Sequence, residues 1–214
     1  ISNILSLTDM SFDKRDGLVT LSSQGNTKLC KVLAIKYYPD DKITDKILES
    51  VLRVKHQFNI IQHVLPVEKE SNKLYISRRI NEVKTMTFGF MDSRMNDLEE
   101  AGEALERGEV NYHDHIILIY VYGDNDKELT RAVRDIQGIL NNNGVTLISE
   151  GMDIELAYWS LLPDGEKLSS ARKGRISTAN LSNFITLGTS LEGLLKCPFG
   201  NFPVTTFKTT QNTN

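Results

Sequence analysis

His113-Asp-His-Ile-Ile-Leu-Ile-Tyr-Val-Tyr122 is the stretch that decides the fold. Ile116 to Tyr122 forms a run of seven apolar residues. A continuous run of that length predicts a central strand buried on both faces. It is far short of the ~20 residues that a membrane-spanning helix needs. Asp124 to Asn143 follows, with Leu129, Ala132, Val133, Ile136, Ile139 and Leu140 on one helical stripe. Asp126 suits the N-terminus of that helix, and Gly144 suits the left-handed residue after it. Val145 to Ser149 then returns as a strand.

Upstream, Leu18–Ser22 and Leu29–Tyr38 read as a hairpin around Gln24-Gly25-Asn26, stopped by Pro39-Asp40-Asp41. Thr44 is a plausible N-cap. Ile47, Leu48, Val51, Leu52 and Lys55 recur at helical spacing, which predicts a helix to about His56. Ile60–Leu65 reads as a strand ended by Pro66. A helical pattern runs from Lys73 to Arg107, with Gly89 marking a bend. Asp153–Leu162 predicts a short helix carrying Trp159 and closed by Pro163. Thr178–Leu187 predicts another, and Val204–Lys208 a last strand.

The order β-α-β, helical insert, β-α-β predicts a two-layer α+β fold. It would have a mainly antiparallel sheet with helices on one face, built from split βαβ, ferredoxin-like elements. Residues 1–163 are expected to form the core, with the insert at about 73–107. Residues 164–214 are expected to form a basic connecting segment.

The 214 residues carry 25 Lys+Arg against 28 Asp+Glu, for a net charge of −3, and 40% are hydrophobic. That composition excludes collagen, a disordered chain and a membrane-embedded segment. A net acidic chain argues against a dedicated nucleic-acid binder. Two cysteines, Cys30 and Cys197, exclude a disulfide framework and a four-cysteine zinc site. The chain opens on Ile1 rather than Met, so it is read as a piece of a longer protein.

His113 and His115 sit at alternate positions of a strand and share a face. A zinc site needs a third protein ligand, and none is near in sequence. A metal-dependent enzyme domain using His113 and His115 therefore stands as an alternative reading. Gly188-Thr-Ser-Leu-Glu-Gly193 matches half of a phosphate loop, but Leu194 and Leu195 stand where Lys and Ser/Thr are required. Cys30 alternates with apolar residues and reads as a packed thiol.

Charge is segregated. Residues 92–110 hold seven carboxylates against two arginines, while residues 164–214 hold six cations against three carboxylates. The candidate partner-binding residues are Glu99, Glu100, Glu103 and Glu106 in the first segment and Lys167, Arg172, Lys173 and Arg175 in the second. A nucleic-acid contact by residues 167–175 is the remaining alternative.

Glu155-Leu-Ala-Tyr-Trp-Ser-Leu-Leu-Pro163 is followed by the basic stretch and by Ile176-Ser-Thr-Ala-Asn-Leu-Ser-Asn-Phe184. Val204-Thr-Thr-Phe-Lys-Thr-Thr210 comes last, and Leu33-Ala-Ile-Lys-Tyr-Tyr-Pro39 lies upstream. This ordered set, spread over roughly residues 18–210, resembles the CagE/TrbE/VirB family of type IV secretion and conjugation ATPases. The sequence departs from the family pattern at Leu187–Leu195. The resemblance implies a non-catalytic N-terminal docking and assembly domain with no cofactor of its own. The parent's phosphate loop, with its ATP and magnesium, would lie beyond Asn214. It further implies a place at the cytoplasmic face of the bacterial inner membrane. The partners would be other secretion subunits, with self-association in the intact ATPase.

Overall fold

A computed structural model describes residues 8–23, 25–39, 46–86, 93–162 and 172–185. Seven strands form one sheet: β1 (Asp9–Asp13), β2 (Leu18–Ser23), β3 (Asn26–Tyr37), β4 (Gln57–Pro66), β5 (Tyr112–Gly123), β6 (Thr146–Ser149) and β7 (Gly174–Ser177). The described helices are α1 (Lys46–Leu52), α2 (Lys69–Met86), α3 (Ser93–Arg107), α4 (Asp126–Asn142), α5 (Ile154–Trp159) and α6 (Thr178–Ser182).

Every strand pairing is antiparallel. β5 lies between β3 and β4, and β6 pairs with the far edge of β3. The units β3-α1-β4 and β5-α4-β6 are therefore each split by a strand of the other. This is the ferredoxin-like interleaving expected from the sequence. β3 and β5 are long enough to serve two neighbours along one edge. β3 pairs with β2 through Cys30 and with β6 from Leu33 onward. β5 pairs with β3 from Leu118 to Gly123 and with β7 from Tyr112 to His115.

The alternation of β5 feeds two cores. Ile117, Ile119 and Val121 face α1 and α4, packing with Leu33, Ile47, Leu129, Ile136 and Leu140. Ile116, Leu118 and Tyr120 face the other way, against Ile154, Ala157 and Tyr158 of α5. The α+β class holds, and α1, α4 and α6 share one face. The second face is closed by α5 rather than left bare, because Tyr120 is a large buried side chain whose hydroxyl needs a partner. Its Oη donates to the Ala157 carbonyl at 2.7 Å.

Other elements differ in detail from the sequence reading. β1 is an additional strand whose Met10 and Phe12 alternate with polar residues. α1 ends at Leu52, and the chain turns as Val54 N–H reaches the Val51 carbonyl. His56 is thereby released to meet Asp135 of α4 at 2.8 Å. Asn125, not Asp126, caps α4, its Oδ1 accepting from Glu128 N–H at 2.9 Å. Gly144 takes the expected positive φ of 77°. β7 and α6 belong to the sheet and its core: Ile176, Leu181 and Phe184 are buried in it. Residues 174–185 are thus part of the folded body, because their apolar side chains complete the core beside β5. Gly89, Thr44, Gly188–Gly193, Cys197 and Val204–Lys208 lie outside the described residues.

The insert is an antiparallel helical hairpin. Lys69 Nζ donates to the Glu106 carbonyl, and Gly102 faces Ile76. Its base is fixed by Asn72, which is fully buried. The Asn72 amide donates to Asn111 Oδ1 and to the Tyr112 carbonyl, each at 2.9 Å. These bonds from a buried amide nitrogen at the mouth of β5 tie the hairpin to the sheet, while Asn72 Oδ1 has no partner among the described residues.

Candidate functional site

The two histidines of β5 sit in different surroundings. His115 is fully buried against the rings of Tyr38 and Phe184. Its Nε2 lies 3.1 Å from Gln62 Oε1, and the Gln62 amide nitrogen donates to the Phe184 carbonyl at 3.0 Å. That second bond fixes the Gln62 amide, so His115 Nε2 carries the proton. Nδ1 then accepts from Tyr38 Oη at 3.1 Å. Burial pushes the His115 pKa down to about 4, so the ring is neutral near pH 7. Both nitrogens are engaged in holding β3, β4, β5 and α6 together. His113 Nε2 lies 3.5 Å from Thr178 Oγ1. Among the described residues, no group of three or more His, Cys, Asp or Glu could hold a metal ion. The Cys30 thiol is buried, and desolvation raises its pKa to about 12, which suppresses the reactive thiolate.

The candidate partner-binding residues separate into three groups. Glu99, Glu100, Glu103 and Glu106 all lie exposed on α3. Glu103 meets Arg107 at 3.4 Å, an exposed pair. Arg172 and Arg175 are engaged within the body. Arg172 Nε donates to Glu150 Oε1 at 2.9 Å, and Glu150 is only 5% exposed. Arg175 Nε donates to Asp114 Oδ1 at 2.9 Å, with its guanidinium 5.0 Å from the Tyr75 ring centroid. Lys173, between them, is exposed. Lys167 lies outside the described residues.

The pair Arg175–Asp114 forms one wall of an open cleft of about 1720 Å³. One side is α2, whose Leu74, Tyr75, Arg78 and Glu82 recur at helical spacing. The other is built from the end of β3, the Asn142–Gly144 turn and β7. Lys36, Arg78 and Lys173 line it, and none forms an ion pair with a described carboxylate. Two large apolar side chains open onto it, Tyr37 at 60% and Leu74 at 61% exposed. Lys36 and Arg78 are absent from the candidates read from sequence. The period of Leu74, Arg78 and Glu82 marks one face of α2, but nothing local places Lys36 and Lys173 opposite it.

The family model described as "CagE, TrbE, VirB family, component of type IV transporter system" matches residues 3–169. The type IV secretion system protein virB4 of Bartonella quintana is 23% identical over 87% of this chain and 22% of its own length. The Bartonella henselae protein of that name is likewise 23% identical over 87% of the chain. Protein virB4 of Rhizobium radiobacter is 29% identical over 47% of the chain and 13% of its own length. The chain thus spans about a fifth of the Bartonella proteins it resembles. With a family model covering most of its residues, this chain belongs to the CagE, TrbE, VirB family of type IV transporter components.

Proposed function

We propose that this chain is the non-catalytic docking and assembly domain of a type IV secretion ATPase. The intact protein would hydrolyse ATP with magnesium and energise transfer of protein or DNA from the cytoplasmic face of the bacterial inner membrane. The observation that carries this reading is the match itself: most of the chain aligns to a fifth of VirB4. The geometry supports it. The buried polar groups His115, Gln62 and Asn72 are used in joining elements rather than in facing a reactant. No described helix is long and apolar enough to cross a membrane. The partners would be other secretion subunits and, in the intact ATPase, neighbouring copies.

Detergent extracts of membranes carrying the transporter test this directly. The immobilised chain should retain inner-membrane subunits of that transporter. Retention by the intact protein but not by this chain would contradict the docking role.

A further inference from the structure

We infer that the cleft between α2 and the β3–β7 edge is the docking site for an acidic polypeptide segment that carries an apolar anchor. The inference rests on the docking reading and names its surface and its partner's chemistry.

Among the described residues, five cations and two carboxylates line the cleft. Arg79 is taken by Glu82 at 3.0 Å and Arg175 by Asp114. Lys36, Arg78 and Lys173 form no ion pair with a carboxylate among the described residues, and Lys36 Nζ stands 5.0 Å from the Tyr37 ring centroid. A positive concavity favours an anionic ligand. The lining also includes Tyr37 and Leu74, each more than half exposed. Open apolar side chains and unpaired cations in one cleft are what a peptide groove combines: apolar anchors that bury and charges that steer.

The same features select against other anions. Glu82 and Asp114 interrupt the positive lining, so a continuous run of phosphates would meet carboxylates. The acidic helix α3 of a second copy is a poorer fit. Its glutamates are exposed, but Ile76 of α2 and Leu105 of α3 are buried in the hairpin. It would bring charge without an anchor. A segment alternating carboxylates with Leu or Phe satisfies both parts of the cleft.

Fluorescence anisotropy with a fluorescein-labelled synthetic peptide of alternating Glu and Leu around a central Phe tests this. The chain should bind it. Lys36→Glu/Arg78→Glu/Lys173→Glu should weaken binding about tenfold or more, since each exposed charge contributes modestly and all three are reversed. These side chains make no described ion pair, so the thermal melt should be unchanged; Arg78→Gln alone should weaken binding in the same direction. Leu74→Ser and a peptide with Ala for Leu and Phe should each weaken it too. Unaltered binding by the charge-reversed variant would overturn the proposal. So would displacement of the peptide by an equally charged oligothymidylate at equal or lower concentration. Failure of the docking reading is separable. If the triple variant loses the peptide while its parent protein supports normal transport, the cleft stands and the docking role falls. If it keeps the peptide while transport is lost, the cleft falls and docking lies elsewhere.

Discussion

Arg175 Nε stands 2.9 Å from Asp114 Oδ1, and the same guanidinium lies 5.0 Å from the centroid of Tyr75. One side chain thus joins β7, β5 and α2, and it does so with both charged partners largely shielded from water, at 19% and 22% side-chain exposure. Removing one partner of a shielded pair strands the other charge. Arg175→Ala should cost ~2 kcal/mol in urea unfolding. Arg172→Ala, which strands the more deeply buried Glu150, should cost ~3 kcal/mol. Lys173→Ala should stay within ~0.5 kcal/mol of the parent chain. Equal effects for all three would show that the ion pairs do not form.

Gly174 of β7 lies under the Tyr38 ring, where a Cβ would overlap Cε2. Tyr38 cannot swing away freely, because its hydroxyl serves His115. Gly174→Ala should therefore cost ~2 kcal/mol by forcing the ring off its partner. Restoration of most of that loss by Tyr38→Ala in the same chain would confirm the clash. An additive double variant would contradict it.

Burial holds His115 neutral, with a pKa of about 4 against an ordinary 6.5. A depressed histidine contributes stability that is complete above about pH 6.5 and lost as pH falls from there through 4. The loss should be on the order of 3 kcal/mol. His115→Gln should show a shallower decline across that window. The imidazole signals of His115 should show no protonation in an NMR titration until about pH 4. A midpoint near 6.5 would contradict the buried network.

Ile136 is fully buried on the stripe of α4 that faces Leu33, Ile117 and Ile119. Ile136→Asp should cost ~4 kcal/mol, since an unpaired carboxylate would be forced into an apolar core. An unchanged melting temperature would refute this orientation of α4.

The elements legible in the sequence are those whose signal is local. The apolar run of β5 and the stripe of α4 fix the centre of the fold, and their flanking strands follow. β1 escapes because two apolar residues in five make a faint alternation. β7 escapes for an electrostatic reason. In sequence Lys173 and Arg175 look like a solvated basic loop, but Asp114, sixty-one positions earlier, neutralises Arg175 and lets the strand pair with β5. The same long-range chemistry hides the cleft. Lys36, Arg78 and Lys173 come from a strand end, a helix face and a loop, and only the split βαβ topology and the hairpin anchored by Asn72 bring them together. The glutamates singled out in α3 are exposed, as their helical spacing allows.

ATP handling gives a further expectation. This chain should show no micromolar heat of ATP binding in calorimetry with magnesium present, because Gly188–Gly193 is followed by Leu194 and Leu195 instead of the Lys and hydroxyl that meet phosphates and metal. Micromolar binding lost on changing Gly193 would contradict the non-catalytic reading.

The docking role is tested most directly by competition inside cells. Residues 1–214, produced in excess in bacteria that transfer substrate through the intact transporter, should occupy the parent protein's docking site and reduce transfer at least tenfold, with the parent's amount unchanged. Ile136→Asp, which should destabilise the fold, should lessen that inhibition. Undiminished transfer with the folded chain present in clear excess over its parent would contradict the account.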